Sequence, residues 1–378
     1  MLSTRVVALA NPRLGERSVS GVRRSKHGRR LDDIEVGRIY PHPWELTLDS
    51  GLTELFAGAV LDATPTYSSR LRAQELGFRD RPISPWLLLN LTLGMSAHNL
   101  FEDAVGHIAY LDIRFPEAAF VGDTVRCATR VEKARASANQ DHGSIVAQSI
   151  LTSSTAEVLC TVRRKVLVRS GSVAGRSESP ATVGPWPDAG PTLPEVLRRG
   201  VQPPSHPSGF GGYFEDYDVG DVVIHAGGRT VGDTEHMLLA LASRNTHPLH
   251  TNETLCREKS TTGTRIVAGG LVLSWTLALA SRDFGGNSIW ELGLDQGAHP
   301  ADVLAGDTLH ATTKVLAKED AGPHSGVVTL RTVGTKNQTG DDLFLSGLFT
   351  PEAAKADGKL PAKVVEITRQ LLILKRPG

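Results

Sequence analysis

Cysteine is scarce in this sequence: Cys127, Cys160 and Cys256 are the three in 378 residues. They are odd in number and nowhere in the short C-x-x-C spacing of zinc or redox sites. A disulfide-stapled or metal-organised fold is therefore not expected, and inert thiols in a reducing cytoplasm are. Net charge is missing too. Lysine plus arginine and aspartate plus glutamate each number 41, which leaves no overall field to draw nucleic acid or an anionic membrane. No stretch approaches the ~20 apolar residues of a spanning helix, so neither nucleic acid nor membrane is an expected partner. Glycine-rich phosphate cradles and His/Cys/Asp clusters at ligand spacing are also absent, and no metal, nucleotide or flavin cofactor is expected.

What the sequence does hold is a repeat. Leu31-Asp32-Asp33-Ile34-Glu35-Val36-Gly37 reappears as Phe214-Glu215-Asp216-Tyr217-Asp218-Val219-Gly220, 183 residues on (220 − 37). At the same offset Asp62-Ala63-Thr64-Pro65-Thr66-Tyr67 falls on Asn245-Thr246-His247-Pro248-Leu249-His250. After a one-residue slip, Phe120-Val121-Gly122-Asp123-Thr124-Val125 falls on Leu304-Ala305-Gly306-Asp307-Thr308-Leu309. Three anchors in one order at nearly constant spacing indicate a duplicated domain, and the length accommodates two cores of ~150 residues. The expected boundaries are 31–170 for the first repeat and 209–378 for the second. Between them, 171–208 is rich in proline, serine and glycine and reads as a linker. Residues 1–30 carry eight Lys or Arg and a single acid, Glu16. That composition fits a disordered basic arm, translation from a start upstream of the natural one, or a transit peptide.

Within the first repeat, periodicity predicts an extended segment at 38–48, a helix at 50–61, and a second helix at 85–100 whose residues are apolar nearly all round and hence buried. Alternation predicts strands at 124–131, 144–149 and 158–168. The second repeat follows the same plan, with 219–229 extended, 233–243 helical, a buried helix opening at Gly269-Gly270, and strands at 308–315, 326–332 and 364–374. Residues 350–363 read as a loop insertion. An α+β unit results, a long buried helix wrapped by an antiparallel sheet, and two such units can join their sheets edge to edge.

The run Arg244-Asn245-Thr246-His247-Pro248-Leu249-His250 resembles the G-D-x-N-P-L-H motif of MaoC-like enoyl-CoA hydratases. Tyr213 to Gly220 looks like that family's entry strand, Ile266 to Leu271 its glycine-rich start of the central helix, and Ala305 to Leu309 its strand-opening turn. First-repeat text such as Ala73-Gln74-Glu75-Leu76-Gly77 and Pro82-Ile83-Ser84-Pro85 is most similar to the branch containing mesaconyl-CoA hydratase (β-methylmalyl-CoA dehydratase). The resemblance spans both repeats and implies a tandem (double) hotdog fold. It also implies a CoA thioester substrate and reversible hydration of a short α,β-unsaturated acyl group. Two departures stand out: Asn245 replaces the family's Asp, and Arg244 its Gly. In the first repeat the polarity is reversed, with Asp62 kept and Tyr67 in place of the histidine.

Hydration of an enoyl thioester needs a base for water, a proton donor for Cα, and donors facing the thioester oxygen as enolate charge grows. A histidine can serve the first two in turn, which makes His250 the candidate base and Asn245 the residue that positions water. Backbone N–H groups of Gly269 and Gly270 are the expected oxyanion hole, because glycine permits close approach and a helix N-terminus adds partial positive charge. Arg265 and Arg244, with Arg81, are candidates to pair with a substrate carboxylate, or are ordinary surface charges. His247 is expected to be a solvated neighbour, and the Gly-Asp-Thr sites at 122–124 and 306–308 structural Asx-type turns. Two other functions stay open: an acyl-CoA thioesterase, against which stands the lack of Asp or Glu between Gly269 and Ser281, and a non-catalytic acyl-binding subunit. The sequence also leaves homo-oligomerisation open.

Overall fold

The structure, a computed structural model, describes residues 27–138, 141–172, 182–187, 193–205, 211–343, 345–351 and 360–377. The basic segment 1–26 and parts of the proline-rich stretch and of the 350–363 insertion lie outside the described residues.

Each half wraps antiparallel strands around one buried helix. The first central helix, Pro85–Met95, starts where Ser84 Oγ accepts the Trp86 N–H at 3.3 Å and Pro85 takes the first helical position. A proline there gives up an N–H that would have had no intrahelical partner. All eleven of its residues are buried, as its apolar text demands. The helix was expected to reach Leu100, but after Met95 the chain widens into a π-helical turn, Ala97–Phe101. Ser96 Oγ–H donates to Leu93 O at 2.7 Å there, the back-bonding that bends a helix end. The second central helix, Gly269–Phe284, is longer and has no side-chain cap at Ala268. Leu87 and Leu271 are both fully buried, and the helices meet where Asn90 Nδ2–H donates to Ser274 Oγ at 2.9 Å.

The strands form one sheet. The first half contributes β1 (Ile39–Thr47), β2 (Ala104–Arg114), β3 (Thr124–Ala136), β4 (His142–Ser153) and β5 (Val158–Arg169). In the second half the expected extended segment splits at Gly227-Gly228 into β6 (Val222–Ile224) and β7 (Arg229–Thr230). They are followed by β8 (Ser288–Ala298), β9 (Thr308–Asp320), β10 (Ser325–Lys336) and β11 (Lys363–Leu374). The order β1-β3-β4-β5-β2-β8-β11-β10-β9-β6, with β7 also on β9, reads the same outward from its centre in both directions. At that centre β2 pairs antiparallel with β8, Tyr110 opposite Gly297 and Ile113 opposite Leu294. The slipped repeat carries Tyr110 to Leu294 and Ile113 to Gly297, so each seam residue faces the other half's counterpart of its neighbour, as a two-fold axis requires.

Neither β2 nor β8 was expected from the sequence. In β2 alternation is broken by His107 and Asp112, whereas β8 does alternate, Trp290, Leu292 and Leu294 against Glu291, Gly293 and Asp295, but its glycines speak against a strand interior. The glycines are there for proximity: a Cβ on Gly293 would lie 2.7 Å from Ile113 O, and one on Gly297 would lie 3.1 Å from Tyr110 Cβ. The tandem hotdog architecture is otherwise the one expected. The Gly-Asp-Thr sites are structural turns in both halves, Asp123 Oδ2 accepting the Phe120 N–H at 2.8 Å and Asp307 Oδ2 the Leu304 N–H at 2.9 Å.

Candidate active site

His250 owes its position to a chain reversal after the helix Asp233–Ala242. Arg244 adopts φ +62°, and Asn245 Oδ1 then accepts the His247 N–H at 3.1 Å in an Asx turn. Pro248 starts a single helical turn, Pro248–Thr251, that carries the histidine. The first half makes the same reversal: Leu61 has φ +58°, and Asp62 Oδ1 accepts the Thr64 N–H at 3.0 Å. Asparagine and aspartate are interchangeable in this turn because only one side-chain oxygen is needed for it.

The chain returns at 266–267, where Ile266 N–H donates to Leu249 O at 3.0 Å. His250 Nδ1 lies 2.9 Å from Ile266 O. A carbonyl only accepts, so Nδ1 carries the hydrogen and Nε2 keeps its lone pair. Burial penalises the charged imidazolium and pushes the His250 pKa down to about 3. The ring is thus a neutral imidazole, oriented by Ile266 O and with a lone pair left on Nε2.

Nε2 belongs to a residue lining a cavity of about 220 Å³, together with Asn245, Gly269 and Gly270. The first N–H turned back inside the second central helix is that of Leu271, to Ala268 O at 2.9 Å. The N–H groups of Gly269 and Gly270 precede it and have no carbonyl of their own helix to meet. A side chain at either position would collide, at 2.8 Å with His299 Nε2 or at 2.6 Å with Asn90 Oδ1. Four of the expected site residues, His250, Asn245, Gly269 and Gly270, are therefore brought together around one space.

Arg265 and Arg244 are not among the residues lining it. Arg265 donates to both oxygens of Asp233 at 2.7 and 2.8 Å and pairs with Glu253 at 3.3 Å, which ties the 253–265 segment to the preceding helix. The Arg244 guanidinium lies 6.0 Å from the centre of the Trp44 ring, and Arg81 pairs with Glu54. His247 is not a solvated neighbour. Its Nε2–H donates to Ala104 O at 3.1 Å, and the residue lines the cavity.

The remaining wall comes from the first half and escaped sequence reasoning. Phe101, His107 and Tyr110 line the cavity beside Arg164 of β5 and His299 of the second half. His299 Nδ1–H donates to Val364 O at 3.2 Å, leaving Nε2 to accept the Tyr110 O–H at 3.3 Å. The ring of His107 lies 4.1 Å from that of Tyr110. The available signal was polarity out of place: an arginine inside the apolar alternation of Val158 to Val168. Among the described residues no three His, Cys, Asp or Glu side chains are grouped to hold a metal ion, and no helix is long and apolar enough to cross a membrane.

Comparison with known proteins bears on the family and the fold. The chain matches the mesaconyl-CoA hydratase family over residues 12–350. It is 27% identical to the β-methylmalyl-CoA dehydratase of Chloroflexus aurantiacus over 82% of this chain and 89% of that one. It is 26% identical to the mesaconyl-CoA hydratase of Cereibacter sphaeroides, over 82% and 90% respectively. Among solved structures it resembles a putative MaoC domain dehydratase from Chloroflexus aurantiacus, with a TM-score of 0.79 and 25% identity over 93% of this chain and 98% of that one. A conserved hypothetical protein of Mycobacterium tuberculosis with a double hotdog fold follows at a TM-score of 0.68 and 20% identity, over 91% and 98%. With its repeat, its two-fold seam and its match along most of its length, the chain belongs to the mesaconyl-CoA hydratase family.

Proposed function

We propose that the protein is a hydro-lyase that reversibly adds water across the double bond of a short α,β-unsaturated acyl-CoA, with mesaconyl-CoA as the first substrate to assay. The observation that supports this best is His250, a neutral imidazole fixed by Ile266 O, lining one cavity with Gly269 and Gly270, the first two residues of the second central helix.

The chemistry follows from those positions. The thioester oxygen sits on the Gly269 and Gly270 N–H groups, where the helix dipole favours negative charge. That polarises the double bond and makes Cβ electrophilic. His250 Nε2 takes a proton from water as its oxygen bonds to Cβ, and the double-bond electrons move onto the thioester as an enolate. The imidazolium then returns the proton to Cα, which restores the carbonyl and the neutral ring. Asn245 holds the water by hydrogen bonds. The reverse sequence dehydrates. A cavity of about 220 Å³ admits a short acyl group, and three free, buried cysteines suit a reducing cytoplasm.

The test is hydration of crotonyl-CoA and mesaconyl-CoA, with a saturated acyl-CoA as the thioesterase control. His250→Ala should lower kcat by roughly 10²- to 10⁴-fold, the loss expected for a general acid–base, with the unfolding midpoint retained. The acid limb of wild-type kcat/KM should lie well below pH 6.5, since the histidine stays neutral there. Wild-type rates in the His250→Ala variant, or hydrolysis of the saturated thioester without hydration, would remove this reading.

A further inference from the structure

Arg164 is a cation without a counter-charge. It lies on β5 opposite Tyr110, is 7% exposed and lines the cavity. Its Nη2–H donates to Ser96 Oγ at 2.6 Å, and its guanidinium sits 4.4 Å from the centre of the Phe101 ring. Its Nε–H is buried without an acceptor. Among the described residues no carboxylate lies within ion-pair distance of it. Burial without a partner charge weakens its hold on the proton, and its pKa falls to about 10. An unpaired guanidinium in a protein interior is costly, so the fold keeps it there against its own stability.

The other half shows what such an arginine ordinarily meets. The register of β11 on β8 places Arg369 opposite Leu294, the counterpart of Tyr110, so Arg369 is the counterpart of Arg164. Arg369 is buried and ion-paired to Glu291 through Nη2, with Nε 3.3 Å from the second oxygen. Glu291 is the counterpart of His107. On the cavity side that carboxylate is gone: His107 stands in its place, with both ring nitrogens buried and unpartnered, beside open space.

The family's namesake substrate is already a dicarboxylic acyl-CoA; we propose that Arg164 is the residue that sets that specificity, receiving the carboxylate at the far end of the acyl group in the place that Glu291 holds against Arg369. This rests on the reading of the cavity as the acyl site of a CoA hydro-lyase. The arginine then acts on specificity: a planar fork matches a carboxylate in two parallel hydrogen bonds, and a monocarboxylic chain leaves it unpaired, which penalises the wrong substrate. The carboxylate comes from the ligand, the selecting cation from the first half, and the base from the second, so the site is complete only when the halves are joined.

The test uses two saturated thioesters that the enzyme cannot hydrate. Calorimetric titration of the full chain should show succinyl-CoA binding at least tenfold more tightly than butyryl-CoA, and Arg164→Gln should bring the ratio close to one. A crystal structure of the wild type with succinyl-CoA, which needs no variant to fold, should show the free carboxylate within hydrogen-bond distance of the Arg164 guanidinium. Equal affinities in the wild type, a preference that survives in Arg164→Gln, or a carboxylate bound elsewhere would overturn the proposal. If the wild type hydrates crotonyl-CoA yet does not discriminate, the arginine assignment fails alone. If it discriminates through Arg164 yet hydrates nothing, the hydro-lyase reading fails alone. Binding of neither thioester overturns both.

Discussion

The cavity at His250 and its counterpart at Tyr67 share one backbone plan and differ in what fills it. Gly269 corresponds to Trp86 and, across the slip, Gly106 to Trp290. Both indoles are buried, one donating to Asp62 Oδ2 at 2.8 Å and the other to Phe115 O at 2.9 Å. Tyr67 stands where the second half has His250 and packs on Trp290, ring centres 5.8 Å apart, while Phe78 stacks on the same indole at 5.6 Å. Glu291 neutralises Arg369. The charges on this side are answered from inside the protein, with Arg369 Nη1 left as a buried nitrogen without a hydrogen-bond partner. Around His250 the corresponding positions are a pair of glycines, an unpartnered histidine and an unpaired arginine, and the space is open. The difference separates two ways of using buried polarity: paired internally it stabilises, unpaired beside a cavity it waits for a ligand.

Exchanging the residues at the heart of the two sites should break the symmetry most severely. His250→Tyr substitutes a phenol that stays protonated at neutral pH for a free imidazole nitrogen, and kcat should fall by roughly 10²- to 10⁴-fold. Tyr67→His should create no second site, because Trp86 and Trp290 occupy the volume a substrate would need. Steady-state hydration by both variants checks the pair. Activity from Tyr67→His in a His250→Ala background would show that the filled half can still bind substrate.

The internally paired half should be the more fragile to loss of one charge. Glu291→Ala strands Arg369, 5% exposed, and removal of one partner of a buried pair costs about 3–5 kcal/mol. The burial that raises the Glu291 pKa to about 7 is the same desolvation the pair already bears. Urea unfolding of the variant at pH 8, where the wild-type carboxylate is ionised, should show a lower midpoint with an unchanged slope. A stability equal to wild type would mean that water reaches Arg369 and that the contrast with Arg164 is weaker than drawn.

The repeat made much of this legible before any coordinates. Gly37 and Gly220, the two Asx reversals and the Gly-Asp-Thr turns recur because backbone geometry is written in a few residue types that few others can replace. His250, Asn245 and the two glycines that line the cavity sit in one contiguous stretch, 245–270, and local text sufficed to group them. The far wall of the cavity was hidden for the opposite reason. His107, Tyr110 and Arg164 reach the site through β2 and β5, whose pairing is set by long-range register, and β2 lacks the alternation that marks a strand. Arg265 was misleading in a related way. A cation next to the motif looked available, but only the fold reveals that Asp233 and Glu253 already hold it.

The mildest change is the one that asks whether Asn245 and Asp62 are true equivalents. Both use Oδ1 to accept an N–H two residues on, at 3.1 and 3.0 Å, so an aspartate at 245 can keep the turn and the position of His250. What changes is the second atom, an amide donor in Asn245 and in Asp62 an oxygen that accepts from Trp86. Water between Asn245 and His250 can be held by either, since it both donates and accepts. Asn245→Ala removes that hold and the turn bond together, and losing about one hydrogen bond's worth of orientation should lower kcat by roughly tenfold. Asn245→Asp should keep the rate within about threefold of wild type, the turn being preserved and the water still held. Steady-state kcat on mesaconyl-CoA for the two variants decides the matter. A loss in Asn245→Asp as deep as in Asn245→Ala would show that the amide's donors are what the reaction uses, and that Asp62 is a template for the turn and for nothing beyond it.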